Sequence, residues 1–229
     1  MSLYLIIIIA VISVPLLLSF EKNLKFYRKW KYLFPAILIV MIPFLIWDYY
    51  FTAREFWGFN PRYLSGLCLF KLPVEEILFF VVVPYASLFG YYAIRFHFPE
   101  YRVNEKYTSA VFVLLLFVSL AGASASFQQP YTLVNFIFFT ANLVVVYVFN
   151  KKMLQNYFAI FPVLLIPFFL INGILTGTGI ESEVVWYNPD VFSGMRVLTI
   201  PAEDFFFAFT LILSVLFFTE LLQKKNSEA

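Results

Sequence analysis

The sequence has one cysteine, Cys68, and one histidine, His97. A lone cysteine excludes an internal disulfide and any cysteine-built zinc or iron–sulfur cage, and a lone histidine excludes a His-rich metal site. Charge is scarce as well: charged residues make up 13% of the chain, and a net charge of +2 gives no reason to expect a nucleic-acid partner. There is no G-x-G-x-x-G and no Walker stretch, and Gly177-Thr178-Gly179 is not a substitute, so no bound nucleotide is expected. The first twenty residues lack a basic n-region and an A-x-A cleavage site and read as a membrane helix, not a removable signal peptide. In place of polar surface there is apolar bulk. Hydrophobic residues are 62% of the 229 and aromatics 22%, with mean hydropathy +0.84. A soluble domain is nearer half apolar, so the composition points to an integral membrane protein.

Seven apolar spans can be counted, at roughly 2–20, 31–51, 72–96, 109–127, 131–149, 157–175 and 201–222. Each is near the ~20 residues that cross ~30 Å of hydrocarbon as a helix. Basic residues set the expected orientation. Lys22, Lys25, Arg28, Lys29 and Lys31 lie between spans 1 and 2; Arg95, Arg102 and Lys106 between 3 and 4; Lys151 and Lys152 between 5 and 6; Lys224 and Lys225 in the tail. These four regions fall on one side, expected to be the cytoplasm, of a multi-pass protein of the cell membrane with its N-terminus outside. The 2–3 loop is the weak point, because Arg54, Arg62 and Lys71 outnumber Glu55 there.

One stretch occurs twice. NPRYLSGLCLFKLPVEE, from Asn60 to Glu76, recurs as NPDVFSGMRVLTIPAED, from Asn188 to Asp204, at an offset of 128 residues without a gap. Upstream, PFLIWD (Pro43–Asp48) resembles PFFLIN (Pro167–Asn172). An internal repeat is read before anything else. It predicts an all-α membrane fold of seven transmembrane helices, with two parallel three-helix repeats joined by a linker helix. The boundaries are 1–106 for the first repeat, 107–130 for the linker and 131–229 for the second. One odd helix between two three-helix units leaves both acidic motifs on the same, non-cytoplasmic side.

Ionisable residues within spans are costly and are functional candidates by default. Asp48 lies near the end of span 2, Glu75 and Glu76 begin span 3, and Glu203 and Asp204 begin span 7. A single acid there would do no more than complement a helix N-terminus. Two adjacent acids, repeated after the same Ser-Gly and Pro spacing, point to chemistry. Adjacent helical residues point ~100° apart, so one acid of each pair faces inward. Identity across the repeats favours Glu75 and Glu203. Pro73 and Pro201 are expected in the first helical turn. Asn60 and Asn188 have two open readings, as turn residues or as hydrogen-bond partners of the acids. Trp57 and Trp186 read either as interface anchors or as an aromatic wall that stabilises a cation, and Phe79 and Phe206, in the runs Phe79–Phe80 and Phe205–Phe207, read either as lipid-facing packing or as part of a pocket one turn below the acids. Ser65-Gly66 and Ser193-Gly194 read as turns.

Trp47–Phe80, with its W-D…W-G-F-N-P and proline-x-Glu-Glu elements, resembles the small membrane-integral lycopene cyclases. WYNPDVFSG…IPAED (Trp186–Asp204) carries the same resemblance for the second half. The chain thus resembles the fused, two-repeat form of a family that also occurs as paired half-size subunits and joined to phytoene synthase. Asp204 replaces the second glutamate, and Asn172 stands where the first half has Asp48. The resemblance implies a redox-neutral lycopene β-cyclase, an isomerase of carotenoid biosynthesis. It would close the linear ends of lycopene to β-ionone rings, giving γ- and β-carotene, with no cofactor and no metal. Glu75, Glu76, Glu203, Asp204 and Asp48 would be catalytic. Asn60, Asn188, Trp57, Trp186, Phe79 and Phe206 would bind the apolar substrate. The bilayer, and contact with other carotenoid-pathway enzymes, are the further partners implied.

Two other readings compete with this one. A retinal-binding opsin needs a Schiff-base lysine in the last span, and residues 201–222 contain none. A proton- or cation-coupled transporter with internal repeats is the alternative function. However, its acids would lie at mid-membrane, and these lie at helix mouths.

Overall fold

A computed structural model describes residues 2–228. The apolar runs form helices, since backbone amides in hydrocarbon can bond only to one another. Leu3–Leu18 is α1, capped by the Ser2 hydroxyl, which accepts from the Leu5 amide. Trp30–Ala53 is α2, Val74–His97 is α3 and Glu105–Ala125 is α4. The 46-residue run Pro130–Leu175 has non-helical torsions at Asn150 (φ −154°, ψ 66°), dividing it into α5 (130–149) and α6 (151–175). Ala202–Glu228 is α7. Among the described residues, five helical stretches are long and apolar enough to cross a membrane: Phe26–Ala53, Val74–His97, Glu105–Ala125, Pro130–Leu175 and Ala202–Asn226. At 16 residues, α1 is shorter than these.

Sequence reading places a loop at 150–156. The structure has a one-residue corner instead. The Asn150 side chain accepts from the Met153 amide at 3.2 Å and so caps α6. Lys151 stays polar by pairing with Glu105 at 3.0 Å. A straight helix of this length would reach about 69 Å. Yet Tyr131 and Asn172, near its two ends, both bond to the carboxylate of Asp204. The run therefore doubles back at Asn150.

The repeated stretch folds the same way twice. Asn60 and Asn188 each accept from the amide two residues on, opening the short 3-10 turns Pro61–Tyr63 and Pro189–Val191. Gly66 (φ 85°) and Gly194 (φ 77°) take left-handed torsions, which is why Ser-Gly recurs. Hairpins follow: β2 (Cys68–Leu69) with β3 (Leu72–Pro73), and β5 (Arg196–Val197) with β6 (Ile200–Pro201). Their tips contain no Asn-Gly signal; Phe70 (φ 49°) and Lys71 (φ 66°) are left-handed without glycine, so local sequence does not announce them. Pro73 consequently ends a strand and caps α3; it is not within the first helical turn.

The two copies meet in an antiparallel ribbon, β1 (Trp57–Phe59) against β4 (Val185–Tyr187), with Trp57 opposite Tyr187, Gly58 opposite Trp186 and Phe59 opposite Val185. The 128-residue offset carries each of these pairs onto another, or onto itself, so the ribbon is self-complementary. Arg62, in the loop where basic charge was in excess, pairs with Glu181 of the facing loop. The helices interleave as well: α1 packs on α3 and α5 on α7, while α2 lies along α7.

Gly58 leaves room for the Trp186 indole, which a β-carbon at this position would strike. Gly58→Ala is expected to cost about 1–3 kcal/mol, the usual penalty for overpacking. Thermal unfolding in detergent checks this: the midpoint should fall, and Gly66→Ala would serve as a control for torsional strain without a clash, since nothing lies near its β-carbon position.

Candidate active site

Each acidic pair divides its work. Glu75 Oε1 accepts from the Ser65 amide at 2.6 Å and from the Ser2 hydroxyl at 2.8 Å. Glu203 Oε1 accepts from the Ser193 amide at 2.8 Å and from Thr132 at 2.5 Å. Both thus clamp the repeated turn to the head of a neighbouring helix. This reverses the expectation that these two face inward. Their backbone positions begin the helix while the turn folds over it, so the turn amides claim them first.

The second acid of each pair lines a cavity of about 390 Å³, together with Asp48. Glu76 Oε2 accepts from the Tyr4 hydroxyl at 2.6 Å. Asp204 has three donors: Tyr131 at 2.5 Å, Asn172 at 2.8 Å, and Tyr187 at 3.0 and 3.3 Å to its two oxygens. Asp48 Oδ1 accepts from Trp57 Nε1 at 2.7 Å and weakly from Thr52 at 3.4 Å. Its Oδ2 is buried without a protein partner. Asp48 and Asn172, matched in the repeat, therefore do different things: one brings a carboxyl to the cavity and the other donates to a carboxylate.

Aromatic faces surround these groups. Trp57, Tyr131 and Tyr187 form a continuous wall, with ring centroids 5.1 Å apart for the first pair and 5.8 Å for the second. Phe79, Phe80 and Phe207 line the cavity just below the acids. Lower down, Val83, Ala86, Ser87 and Gly90 keep it open along α3, with α1 and α6 opposite. From Glu76 to Gly90 the cavity follows about 21 Å of helix. Next to it, Phe206 packs on Phe136 and Phe139 of α5 at 4.9 and 5.1 Å, and Phe139 on Phe209 at 5.0 Å.

Of the residues expected from sequence, the structure brings Asp48, Glu76, Asp204, Trp57 and Phe79 to the cavity. Phe206 turns to α5, and its neighbour Phe207 takes the cavity position. Trp186 covers Gly58 on the ribbon. Asn60 and Asn188 are turn residues; Asn60 also donates to Ser182 and to the Glu183 carbonyl, and neither bonds the acids. Sequence reading missed Tyr4, Tyr131 and Tyr187. Only Tyr187 carried a local signal, beside Trp186 in the repeated stretch. The other two act on carboxylates 72 and 73 residues away. Among the described residues no group of three or more His, Cys, Asp or Glu could hold a metal ion.

The arrangement is that of an apolar helical protein with carboxyl groups gathered at one end of an apolar, aromatic-walled cavity. A family model described as lycopene cyclase matches residues 1–94 and 128–222, and the chain belongs to that family. It is also similar to a bifunctional lycopene cyclase/phytoene synthase of Aspergillus oryzae, at 26% identity over 62 residues. That match covers 27% of this chain and 11% of the relative's length. No solved structure matches the chain.

Proposed function

We propose that this chain is a cofactor-independent lycopene β-cyclase that crosses the membrane seven times. One observation carries the reading: three carboxyl-bearing side chains from both halves, Asp48, Glu76 and Asp204, share one apolar cavity. Lycopene offers no polar handle, so recognition must come from shape and aromatic contact, and reaction from proton transfer. A carboxylic acid of the first half protonates the terminal C=C bond of the ψ end and leaves a tertiary cation. Asp48 is the favoured donor, because Oδ2 has no other partner. A C=C bond further along the chain attacks the cation and closes the ring, which moves the charge onto a ring carbon. A carboxylate then removes a ring proton to restore a C=C bond. Asp204 takes this role, since three donors stabilise its ionised form. One proton enters and one leaves, so substrate and product are isomers and no electron carrier is needed. Trp57, Phe79, Phe207 and the tyrosine wall face the cation and keep water from quenching it.

Both members of the acid–base couple are carboxyls held apart in role by their surroundings. The two matched stretches, 1–94 and 128–222, and the self-complementary β1–β4 ribbon support a pair of parallel three-helix repeats with α4 as linker. Below the acids the open length of the cavity runs along α3, between α1 and α6. One end of lycopene is therefore closed per binding event, with the rest of the polyene leaving along α1 and α6.

The test is conversion by purified protein in liposomes, with neither nucleotide nor metal added. Lycopene should give γ-carotene first and β-carotene later, resolved by chromatography. A strict requirement for reduced flavin, or no conversion by well-folded protein, would refute the reading. Orientation is tested separately. A reporter active only in the cytoplasm, inserted near Ser182 between α6 and α7, is expected to be silent, and activity there would invert the topology.

A further inference from the structure

The opposite end of the bundle carries a second cleft, of about 580 Å³, with a different chemistry. Lys29 closes the 3-10 turn Phe26–Lys29 ahead of α2, Arg95 is in the last turn of α3, and Lys224 is near the end of α7. All three line the cleft, and Glu220 is the one acid among its lining residues. Glu220 is already engaged, accepting from Asn150 at 3.3 Å. The Lys29 ammonium is held in place: it donates to Gln223 Oε1 at 3.1 Å and lies 4.2 Å from the centre of the Tyr92 ring. The Tyr92 hydroxyl is buried and has no hydrogen-bond partner among the described residues. Leu24 and Phe96 add apolar wall, and Phe96 is half exposed on the flank of α3.

Ammonium, guanidinium and phenol are all donors, and the species that accepts from all three is a multi-oxygen anion. The cleft opens at the end of apolar helices, on the face where basic residues concentrate. A ligand there must carry its anion next to hydrocarbon. We propose that this cleft binds the phosphate headgroup of an anionic phospholipid, with Lys29 and Arg95 as principal ligands and an acyl chain running past Phe96. Basic clefts between membrane helices on the cytoplasmic side suit such headgroups. The site joins the start of α2, the end of α3 and the end of α7, elements of both halves, so a bound lipid would tie the halves together at the end remote from the carboxyls.

Native mass spectrometry of the full chain, released from micelles doped with phosphatidylglycerol or phosphatidylcholine, tests this. The wild type should retain one phosphatidylglycerol per chain and little phosphatidylcholine. Lys29→Gln combined with Arg95→Gln should retain roughly tenfold less, and Lys106→Gln, an exposed basic residue outside the cleft, should behave as wild type. Glu220→Gln keeps the acceptor for Asn150 but removes the opposing charge, and should retain several-fold more; this arm decides if the double variant fails to fold. Equal retention of both lipids, or an unchanged Glu220→Gln, overturns the proposal. Displacement of the lipid by inorganic phosphate at matching concentration would assign the cleft to a free anion and overturn it equally.

Discussion

Asp204→Asn is expected to lower cyclisation by at least ~10²-fold, the scale of a general base in a proton-transfer step. Asparagine preserves size and one acceptor for the tyrosine donors but cannot take up a proton. Asp48→Asn and Glu76→Gln are expected to fall by a similar factor. The measurement is initial rate in liposomes at matched protein level, with folding checked by gel filtration. Glu75→Gln and Glu203→Gln form the contrasting pair. They hold the turns at Ser65 and Ser193 through a carboxylate oxygen, which glutamine also offers. They should lose stability before they lose chemistry, appearing as lower yield with near-normal rate per folded molecule. If Glu75→Gln abolishes turnover in well-folded protein while Glu76→Gln does not, the assignment of the inward acid is wrong. A second readout separates proton chemistry from redox chemistry. In D₂O each new ring should gain one solvent hydron on carbon, raising the product mass by about one unit per ring, because protonation by an exchangeable carboxyl precedes loss of a substrate hydrogen.

Cutting the chain between Lys106 and Tyr107, in the first turn of α4, is expected to abolish activity in each piece and restore it on co-expression. Residues 1–106 retain Asp48 and Glu76, and residues 107–229 retain Tyr131, Asn172, Tyr187 and Asp204. Neither piece holds the whole constellation. Alone, the first would expose Trp57 and the edge of β1, and the second would leave α7 without α2 along its side. Polar groups turned to lipid are costly, so the isolated halves should aggregate or be degraded. Together they can re-form β1–β4 and the α2–α7 contact, since the cut lies outside the described pairing. Pigment extracted from lycopene-accumulating cells gives the answer. β-Carotene from either fragment alone would mean two independent centres and would remove the shared cavity from the mechanism.

Much of this protein is legible in its one-dimensional pattern, for physical reasons. Hydrocarbon demands long apolar helices, so composition and span length reveal the membrane class directly. A repeat that folds locally repeats its local devices, so Asn-Pro, Ser-Gly and Pro-x-Glu marked two matching turn-and-hairpin units. Charge at helix mouths is rare enough to single out Asp48, Glu75, Glu76, Glu203 and Asp204 before any coordinates. Membership of the lycopene cyclase family follows from the same stretches.

Tertiary structure decided the rest. Which acid of each pair turns inward depends on where the preceding turn lays its amides, and those claimed Glu75 and Glu203. Tyr4 and Tyr131, which donate to Glu76 and Asp204, come from helices 72 and 73 residues distant, a range at which sequence spacing has no information. Hairpins built on left-handed Phe70 and Lys71 lack a turn signal, and the reversal at Asn150 needs only one residue, so neither is announced locally. That the two halves share one cavity, while Phe206 packs on Phe136 and Phe139 and leaves Phe207 to line it, arises from packing between helices, where side-chain volume and not residue class decides what space remains.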